Sequence, residues 1–172
     1  MKIESTTFTP TDVQGFMDEF LDHERELLAD RLEKASAKLA ELGPRITSGH
    51  GDGSWSSHEV LAHIAVLSKF YGVLVHKISS GQMTELNLLE NVNVRDVAGE
   101  QMAKLDSAEL LRMALSDHRR SIDTLRAVEP RALRRAARLE DGTMLTAEEI
   151  ARLPLVAHLE LHLEQLVKSL ES

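Results

Sequence analysis

The stretch LPLVAHLELHLEQL, residues 153–166, decides the fold of this chain. Four of its six leucines recur at the spacing of an amphipathic α-helix. At about 100° per residue these leucines form one apolar arc, and His158 and His162 lie together along its edge. A metal site between packed helices needs its ligands at such an edge. The alternative is one buried, hydrogen-bonded histidine beside one solvated histidine, and a third histidine on another core face would favour the metal site.

The composition predicts a single all-α domain that spans residues 1–172. Leu, Ala, Glu and Arg dominate, aromatic residues make up 3% of the chain, and Val, Ile and Thr form no alternating runs. A chain of 172 residues can bury one sizeable core. Pro154 is expected to kink the last helix or to divide it into a short and a long piece.

The charge and the residue types argue against several classes of protein. A net charge of −8 disfavours nucleic acid, whose binding depends mainly on Lys and Arg. The chain has no cysteine, so a metal would be held by His, Asp or Glu. We see no apolar run near the ~20 residues that cross a bilayer, and the polar start MKIESTTFTP is unlike a signal peptide. We therefore expect a cytoplasmic protein that binds neither membranes nor nucleic acid.

Capping and breaking residues predict four long helices, which would pack together as a helical bundle. The helices are expected to begin near Thr9, Ser56, Asp106 and Thr146, and the first three to end near Gly43, Ser79 and Pro130. Residues 82–105 then form a long connection between helices 2 and 3, expected to contain short helical pieces. This connection contributes either the rim of a site or a merely ordered crossover.

Several charged residues lie in unexpected places. Glu24 and Arg31 fall within the apolar stripe of helix 1, where they either face a cavity or pair at the edge of the bundle, and we favour pairing. The segment RALRRAAR carries four arginines, which either contact an anionic partner or lie on a solvated helical turn. We expect the solvated turn. These arginines are Arg131, Arg134, Arg135 and Arg138.

His63 on helix 2 supplies the third histidine. At about 100° per residue Val60 and Leu67 fall close to it, so His63 is expected at the centre of the buried stripe. His58 and His76 are expected on the opposite, solvated face. Together with the pair on the last helix, His63 gives three neutral nitrogen ligands and one open position. That arrangement is typical of catalytic metal sites.

Two stretches also resemble a known family. They are GSWSSHEVLAHI, residues 53–64, and GTMLTAEEIARLPLVAHLELHLEQL, residues 142–166. The first is similar to the W-S-x-x-E-x-L-x-H segment of the DinB/YfiT-like superfamily of proposed metalloenzymes, and the second to its final helix with H-x-x-x-H-x-x-Q. The resemblance extends over nearly the whole chain in order and spacing. It implies a four-helix bundle that binds a divalent metal, commonly nickel or zinc, through His63, His158 and His162.

The same resemblance implies a range of activities. Members include S-transferases that use low-molecular-weight thiols such as bacillithiol, mycothiol or glutathione, and dimers are common among them. We expect a metal-dependent transferase or hydrolase that acts on a small electrophile, and we expect a homodimer. The alternatives are a non-catalytic metal-binding stress or sensor protein that acts through dimerisation, and a plain helical interaction module. Three imidazoles suit zinc, nickel, copper or iron, so the residue types do not select the metal.

Three further residues have functional interpretations. His118, at the centre of the buried face of helix 3, is a candidate fourth ligand or catalytic general base, against the alternative of a hydrogen-bonded core histidine. Glu59 precedes His63 by one turn and could orient its imidazole, although helix capping already accounts for it. Glu164 completes an H-x-x-x-H-x-E pattern found in iron-dependent sulfoxide synthases. It lies about 200° from His162 around the helix and should face solvent, so we reject that activity.

Overall fold

The chain is mainly helical, as the composition predicts. The computed structural model describes residues 9–47, 55–87, 90 and 99–171. Within these residues α1 spans Pro10–Leu42, α2 spans Ser57–Ser79 and α3 spans Ser107–Ala127. The last helical stretch consists of α4, Ala147–Ile150, a π-helical segment, Ala151–Ala157, and α5, His158–Glu171. Short 3-10 turns, Gly43–Arg45 and Pro130–Arg134, follow α1 and α3.

Side-chain caps begin the helices where the sequence places them. The Ser56 hydroxyl accepts a hydrogen bond from the backbone N–H of Glu59, and the Glu59 carboxylate accepts one from the backbone N–H of Ser56 at 2.7 Å. The same reciprocal pairing joins Thr146 and Glu149 at the start of α4. Each cap accepts hydrogen bonds from backbone N–H groups that have no partner within the first turn of the helix. The predicted starts of these helices are therefore confirmed.

The helices α1 to α5 all contribute to the core. The helix α3 packs against both α1 and α2, and the last helical stretch packs against the same two helices. One large apolar side chain from each helix is at most 1% exposed, and each such burial contributes roughly 1.5–3 kcal/mol to folding. These side chains are Leu28, Leu61, Leu110, Ile150 and Leu166. Non-local packing of this kind fixes the last helical stretch beside α2.

Pro154 lies inside the π-helical segment, between the short α4 and the longer α5. Its nitrogen carries no hydrogen, and its ring crowds the carbonyl four residues earlier, so a regular α-helix cannot continue through it. The backbone widens into a π-helix, and the N–H of His158 donates to the carbonyl of Leu153, five residues earlier. The short and the long piece expected from the sequence are therefore present, joined without a break.

A small β-hairpin departs from the all-helical prediction. Strand β1, Ala136–Arg138, pairs antiparallel with β2, Met144–Thr146. Gly142 has a φ of 87°, which favours glycine, in the turn between them. The prediction of a helical turn for the arginine-rich segment is confirmed for Pro130–Arg134 only, which forms a 3-10 helix. The residues after it form β1 instead, because their backbone groups find partners in β2 and near Glu85.

The four arginines of this segment all have partners within the chain. Arg135 and Arg131 contact α2 and α1, while the other two bind acidic groups of neighbouring segments. Because most of these pairs are largely exposed, each contributes little stability, about 0–1 kcal/mol. The contacts are Arg131–Asp18, Arg134–Glu148 at 3.6 Å, Arg135 with the carbonyl of Ser79, and Arg138–Glu85 at 2.6 Å.

The two charged residues in the apolar stripe of α1 form ion pairs, as expected. The Arg31 guanidinium donates to both carboxylate oxygens of Glu160 on α5, at 3.0 and 2.5 Å. Glu24 accepts from Arg152 in the π-helical segment. These pairs join α1 to the last helical stretch.

The helix α2 is long and apolar enough to cross a membrane by length and composition, which corrects the expectation that no such run exists. Of its most apolar window, 56% is buried inside the protein. Core helices commonly have this composition, and α2 packs between α3 and the last helical stretch.

The predicted connection between helices 2 and 3 lies partly outside the described residues, which omit 88–89 and 91–98. Its first part runs beside the hairpin. The N–H of Leu86 donates to the carbonyl of Arg138 at 2.9 Å, and the N–H of Arg138 donates to the carbonyl of Thr84 at 2.9 Å. The beginning of the connection is therefore attached to β1.

Candidate metal centre

Three histidines from two helices converge between α2 and α5. His63 lies on α2, His158 is the first residue of α5, and His162 follows one turn later. One ring nitrogen of each residue lies within 4.8 Å of those of the other two. The Nε2 atoms of His158 and His162 are 3.0 Å apart. The structure thus brings together the three residues that the sequence singled out as ligands.

The π-helical segment ends directly before this cluster. It supplies the residue before His158, and the regular α5 then places His162 on the same side of the helix. Segments of π-helix are rare in proteins, and those that occur are frequently found at functional sites. His63 is half-buried, at the edge of the core where α2 meets α5, and not at the centre of the buried stripe as expected. At this border its ring can face both the cluster and solvent.

The donor set fits a divalent metal ion. Nitrogens about 2.0–2.1 Å from zinc at tetrahedral angles lie about 3.4 Å apart. The Nε2 atoms of His158 and His162 are 3.0 Å apart, a little closer than this distance. The ligand nitrogens of all three histidines lie within 4.8 Å of one another, so no pair is much farther apart than the site requires. Shifts of about 1 Å in the side chains would therefore suffice to close the site. In the described part of the chain, no carboxylate joins these three imidazoles, so the cluster could hold a metal through neutral ligands alone.

Trp55 lies against the cluster from outside. Its ring meets the ring of His63 edge to face, with the centroids 4.7 Å apart and the planes at 70°. Trp55 is 51% exposed, which is unusual for the largest apolar side chain. The sequence pattern drew attention to this tryptophan but gave it no role. Trp55 lies just before the cap of α2 and precedes His63 in the sequence by about two helical turns.

Gln165 contacts the cluster from within α5. Its carbonyl oxygen Oε1 lies 3.1 Å from Nδ1 of His162, and its side chain is exposed. The sequence pattern contained this glutamine without assigning it a role. The signal was its spacing, because residues three apart on a helix are neighbours on one face.

His118 is buried in the core, away from the cluster. It is 0% exposed and bonded on both ring nitrogens. The Ser68 hydroxyl donates its hydrogen to the carbonyl of Ile64 at 2.7 Å, so its oxygen accepts from Nε2–H of His118 at 2.7 Å. The other nitrogen, Nδ1, then accepts from the Ser36 hydroxyl at 3.1 Å. These bonds define one neutral tautomer that links α1, α2 and α3.

This environment favours the core interpretation of His118. Burial disfavours the charged imidazolium and lowers the pKa of His118 to about 4. Both nitrogens are engaged with serines, so neither is directed at the cluster. The expectation that His118 is a fourth ligand or a general base gains no support from the geometry, and a hydrogen-bonded core histidine accounts for every contact of the ring. The serine partners were not foreseen.

The remaining residues singled out from the sequence lie outside the cluster. His58 is half-buried, and its ring nitrogens contact the Ser107 hydroxyl at 2.9 Å and the carbonyl of Ala103 at 3.1 Å. Its expected position on a solvated face is therefore wrong. His76 and Glu164 are exposed, as expected. Glu59 caps α2 through both its backbone and its side-chain bonds with Ser56.

A narrow cavity of about 10 Å³ adjoins His162, beneath the π-helical segment. Its volume matches a single water molecule. Apolar side chains form most of its wall, so little room exists for a substrate on this inner side. The lining residues are Ile64, Leu67, Ser68, Pro154, Leu155, Leu159 and His162. This cavity therefore has room for a water molecule and not for a larger ligand.

Comparison with solved structures relates the fold to a known enzyme. A crystal structure described as the mycothiol-dependent maleylpyruvate isomerase superposes on this chain with a TM-score of 0.57 and 16% sequence identity. The two proteins share a fold. The match covers 87% of this chain and 59% of the isomerase chain, so this protein corresponds to about three fifths of that enzyme. At 16% identity the likeness concerns the fold alone. No protein-family model matches the sequence, and no curated protein matches it.

Proposed function

We propose that this chain is a DinB-like four-helix bundle that binds one divalent metal through His63, His158 and His162. The observation that carries the proposal is the convergence of these histidines from distant parts of the chain, with their ligand nitrogens within 4.8 Å. A random placement of histidines on helical surfaces rarely directs three rings at one point. Nickel and zinc are the metals we favour, and iron is an alternative, because imidazole suits all three.

The reaction we propose is a thiol-dependent transfer to, or isomerisation of, a small electrophile. A divalent ion held by three neutral imidazoles keeps its full charge and would lower the pKa of a thiol at an open position. In a transfer, the thiol sulfur would bond to a carbon of the electrophile while the bond from that carbon to its leaving group breaks, and the thiol proton would pass to solvent. In an isomerisation, the sulfur would add to one carbon of a double bond and leave again after rotation, so that the thiol is returned. Two observations support this class: the sequence resemblance to a superfamily whose members include thiol S-transferases, and the shared fold with a mycothiol-dependent isomerase.

The chain's own residues would bind and orient the reactants. The three imidazoles supply the ligands, the apolar wall beside His162 leaves the inner side with room for about one water molecule, and the exposed indole of Trp55 borders the outer side. A substrate that enters from this side meets an aromatic surface next to the ligand nitrogens. Small electrophiles with an apolar or flat portion fit this aromatic surface best.

Nickel binding is expected to quench the fluorescence of Trp55. Trp55 is the single tryptophan of the chain and lies 4.7 Å from the ring of His63, so its emission reports on this site alone. A ligand of the native state also stabilises it, and nickel at 100 times its Kd should add about 2.7 kcal/mol, or roughly 5–11 °C in Tm. Both quantities are measured on chelator-treated protein. Unchanged emission and Tm at millimolar nickel and zinc would refute the metal site.

Thiol consumption is expected only from the metal-loaded protein. We would supply bacillithiol, mycothiol or glutathione with a reactive test electrophile such as monochlorobimane, and follow the loss of free thiol. The rate should exceed that of chelator-treated protein and of the His162→Ala variant. Metal binding without thiol consumption, across all three thiols and several electrophiles, would reject the transferase and favour the metal-binding sensor.

The homodimer and the cytoplasmic location expected from the sequence remain parts of this proposal. All three proposed ligands come from one chain, so the proposed chemistry does not require the dimer. Light scattering on the purified protein, with and without nickel, tests the oligomeric state. A metal-dependent change in mass would favour the sensor alternative, in which the site serves dimerisation.

A further inference from the structure

We propose that Gln165 is a positioning residue that selects which nitrogen of His162 faces the metal position. This inference rests on the proposed metal site, and it gives a role to the last residue of the H-x-x-x-H-x-x-Q pattern. Gln165 follows His162 by three residues in α5, so both side chains leave the same face of the helix. No contact between Gln165 and a substrate is required.

The hydrogen bond between the two side chains defines the tautomer. The oxygen Oε1 of Gln165 lies 3.1 Å from Nδ1 of His162. An amide oxygen can only accept, so Nδ1 must carry the hydrogen. A neutral imidazole carries one ring hydrogen, which leaves the lone pair of His162 on Nε2. Only the nitrogen with the lone pair can bind a metal.

That lone pair is directed into the cluster. The Nε2 atom of His162 lies 3.0 Å from Nε2 of His158. A hydrogen on Nε2 of His162 would prevent this nitrogen from binding a metal. With the hydrogen of His162 on Nδ1, the hydrogen in the 3.0 Å contact belongs to Nε2 of His158, which has to give it up when a metal enters. Gln165 therefore holds His162 ready to bind, in the way that hydrogen-bonded partners of metal-binding histidines generally fix the tautomer and the ring orientation.

A purely structural role for this bond is small. Gln165 is exposed, and a surface hydrogen bond within one helix contributes little to stability. Loss of the bond should therefore leave folding nearly unchanged and act on the metal site alone. This difference separates positioning from packing in an experiment.

Three variants test the proposal. Gln165→Leu removes the acceptor at similar size, Gln165→Glu keeps an acceptor, and Glu164→Leu is a matched control at the neighbouring exposed position. We expect Gln165→Leu to bind nickel about 10–100-fold more weakly. Gln165→Glu should bind as tightly as the original protein or more tightly, and Glu164→Leu should bind equally well. Affinity is measured through the quenching of Trp55.

A second measurement needs no metal. Histidine ring nitrogens in ¹⁵N-labelled, chelator-treated protein report the tautomer directly by NMR. His162 should carry its hydrogen on Nδ1 in the original protein and in Gln165→Glu, and lose this preference in Gln165→Leu. A hydrogen on Nε2 in the original protein, or equal nickel affinity in Gln165→Leu, would overturn the positioning role. If no variant binds metal while the tautomer is as expected, the proposed metal site fails and the role of Gln165 in orienting His162 stands.

Discussion

The His63→Ala variant is expected to bind nickel or zinc at least about 100-fold more weakly than the original protein. Removal of a hydrogen-bonded partner of a ligand typically costs 10–100-fold in affinity, and removal of the ligand itself should cost more. Only His158 and His162 would then remain, both on α5. The stabilisation of about 2.7 kcal/mol expected at 100 times the original Kd should fall below about 0.5 kcal/mol.

The control for this variant lies on the same helix. His76 is exposed on α2 and does not belong to the cluster, so His76→Ala should keep the full affinity and the full rise in Tm. Because His63→Ala also removes a contact of Trp55, affinity is measured by calorimetry and by metal content after dialysis. Equal metal content in the two variants would show that His63 is not a ligand.

The helix boundaries were predictable because caps are local. The pairing of Ser56 with Glu59 and of Thr146 with Glu149 involves residues three apart, and no other part of the chain is needed to form it. The hairpin was missed for the opposite reason. Its strand β1 has three residues and no alternating pattern, and its backbone bonds reach β2 and Thr84. A sequence window cannot show such partners.

The site was predictable to the extent that helical periodicity determines the side of a helix from which each side chain projects. Projection placed His158 and His162 on one edge of the last helix and gave His63 a face directed inward. It could not show that α2 and α5 are neighbours, which depends on packing of the whole core. For the same reason His58 was placed on a solvated face, although Ser107 and the backbone of Ala103 cover it.

Acid is expected to destabilise the protein through His118. Burial lowers the pKa of His118 to about 4, against 6.5 in an exposed histidine. Above pH 6.5 the ring is neutral in both the folded and the unfolded state, and its ionisation does not affect stability. Between pH 6.5 and 4 the unfolded chain binds a proton that the folded protein excludes, so the free energy of unfolding falls as the pH falls. The loss over this range should reach about 3 kcal/mol.

The variant His118→Gln isolates this contribution. Its amide can donate towards Ser68 and accept from Ser36, yet it does not titrate. Urea unfolding of chelator-treated protein at a series of pH values should show a steeper loss of stability for the original protein than for His118→Gln, by up to about 1.4 kcal/mol per pH unit. The exposed His76→Gln serves as the control and should follow the original curve. The original protein and His118→Gln differ at this one residue, so the burial of a neutral imidazole explains a difference between their curves. Parallel curves for the original protein and His118→Gln would mean that His118 takes up its proton as readily in the folded protein as in the unfolded chain, and the lowered pKa of His118 would then be wrong.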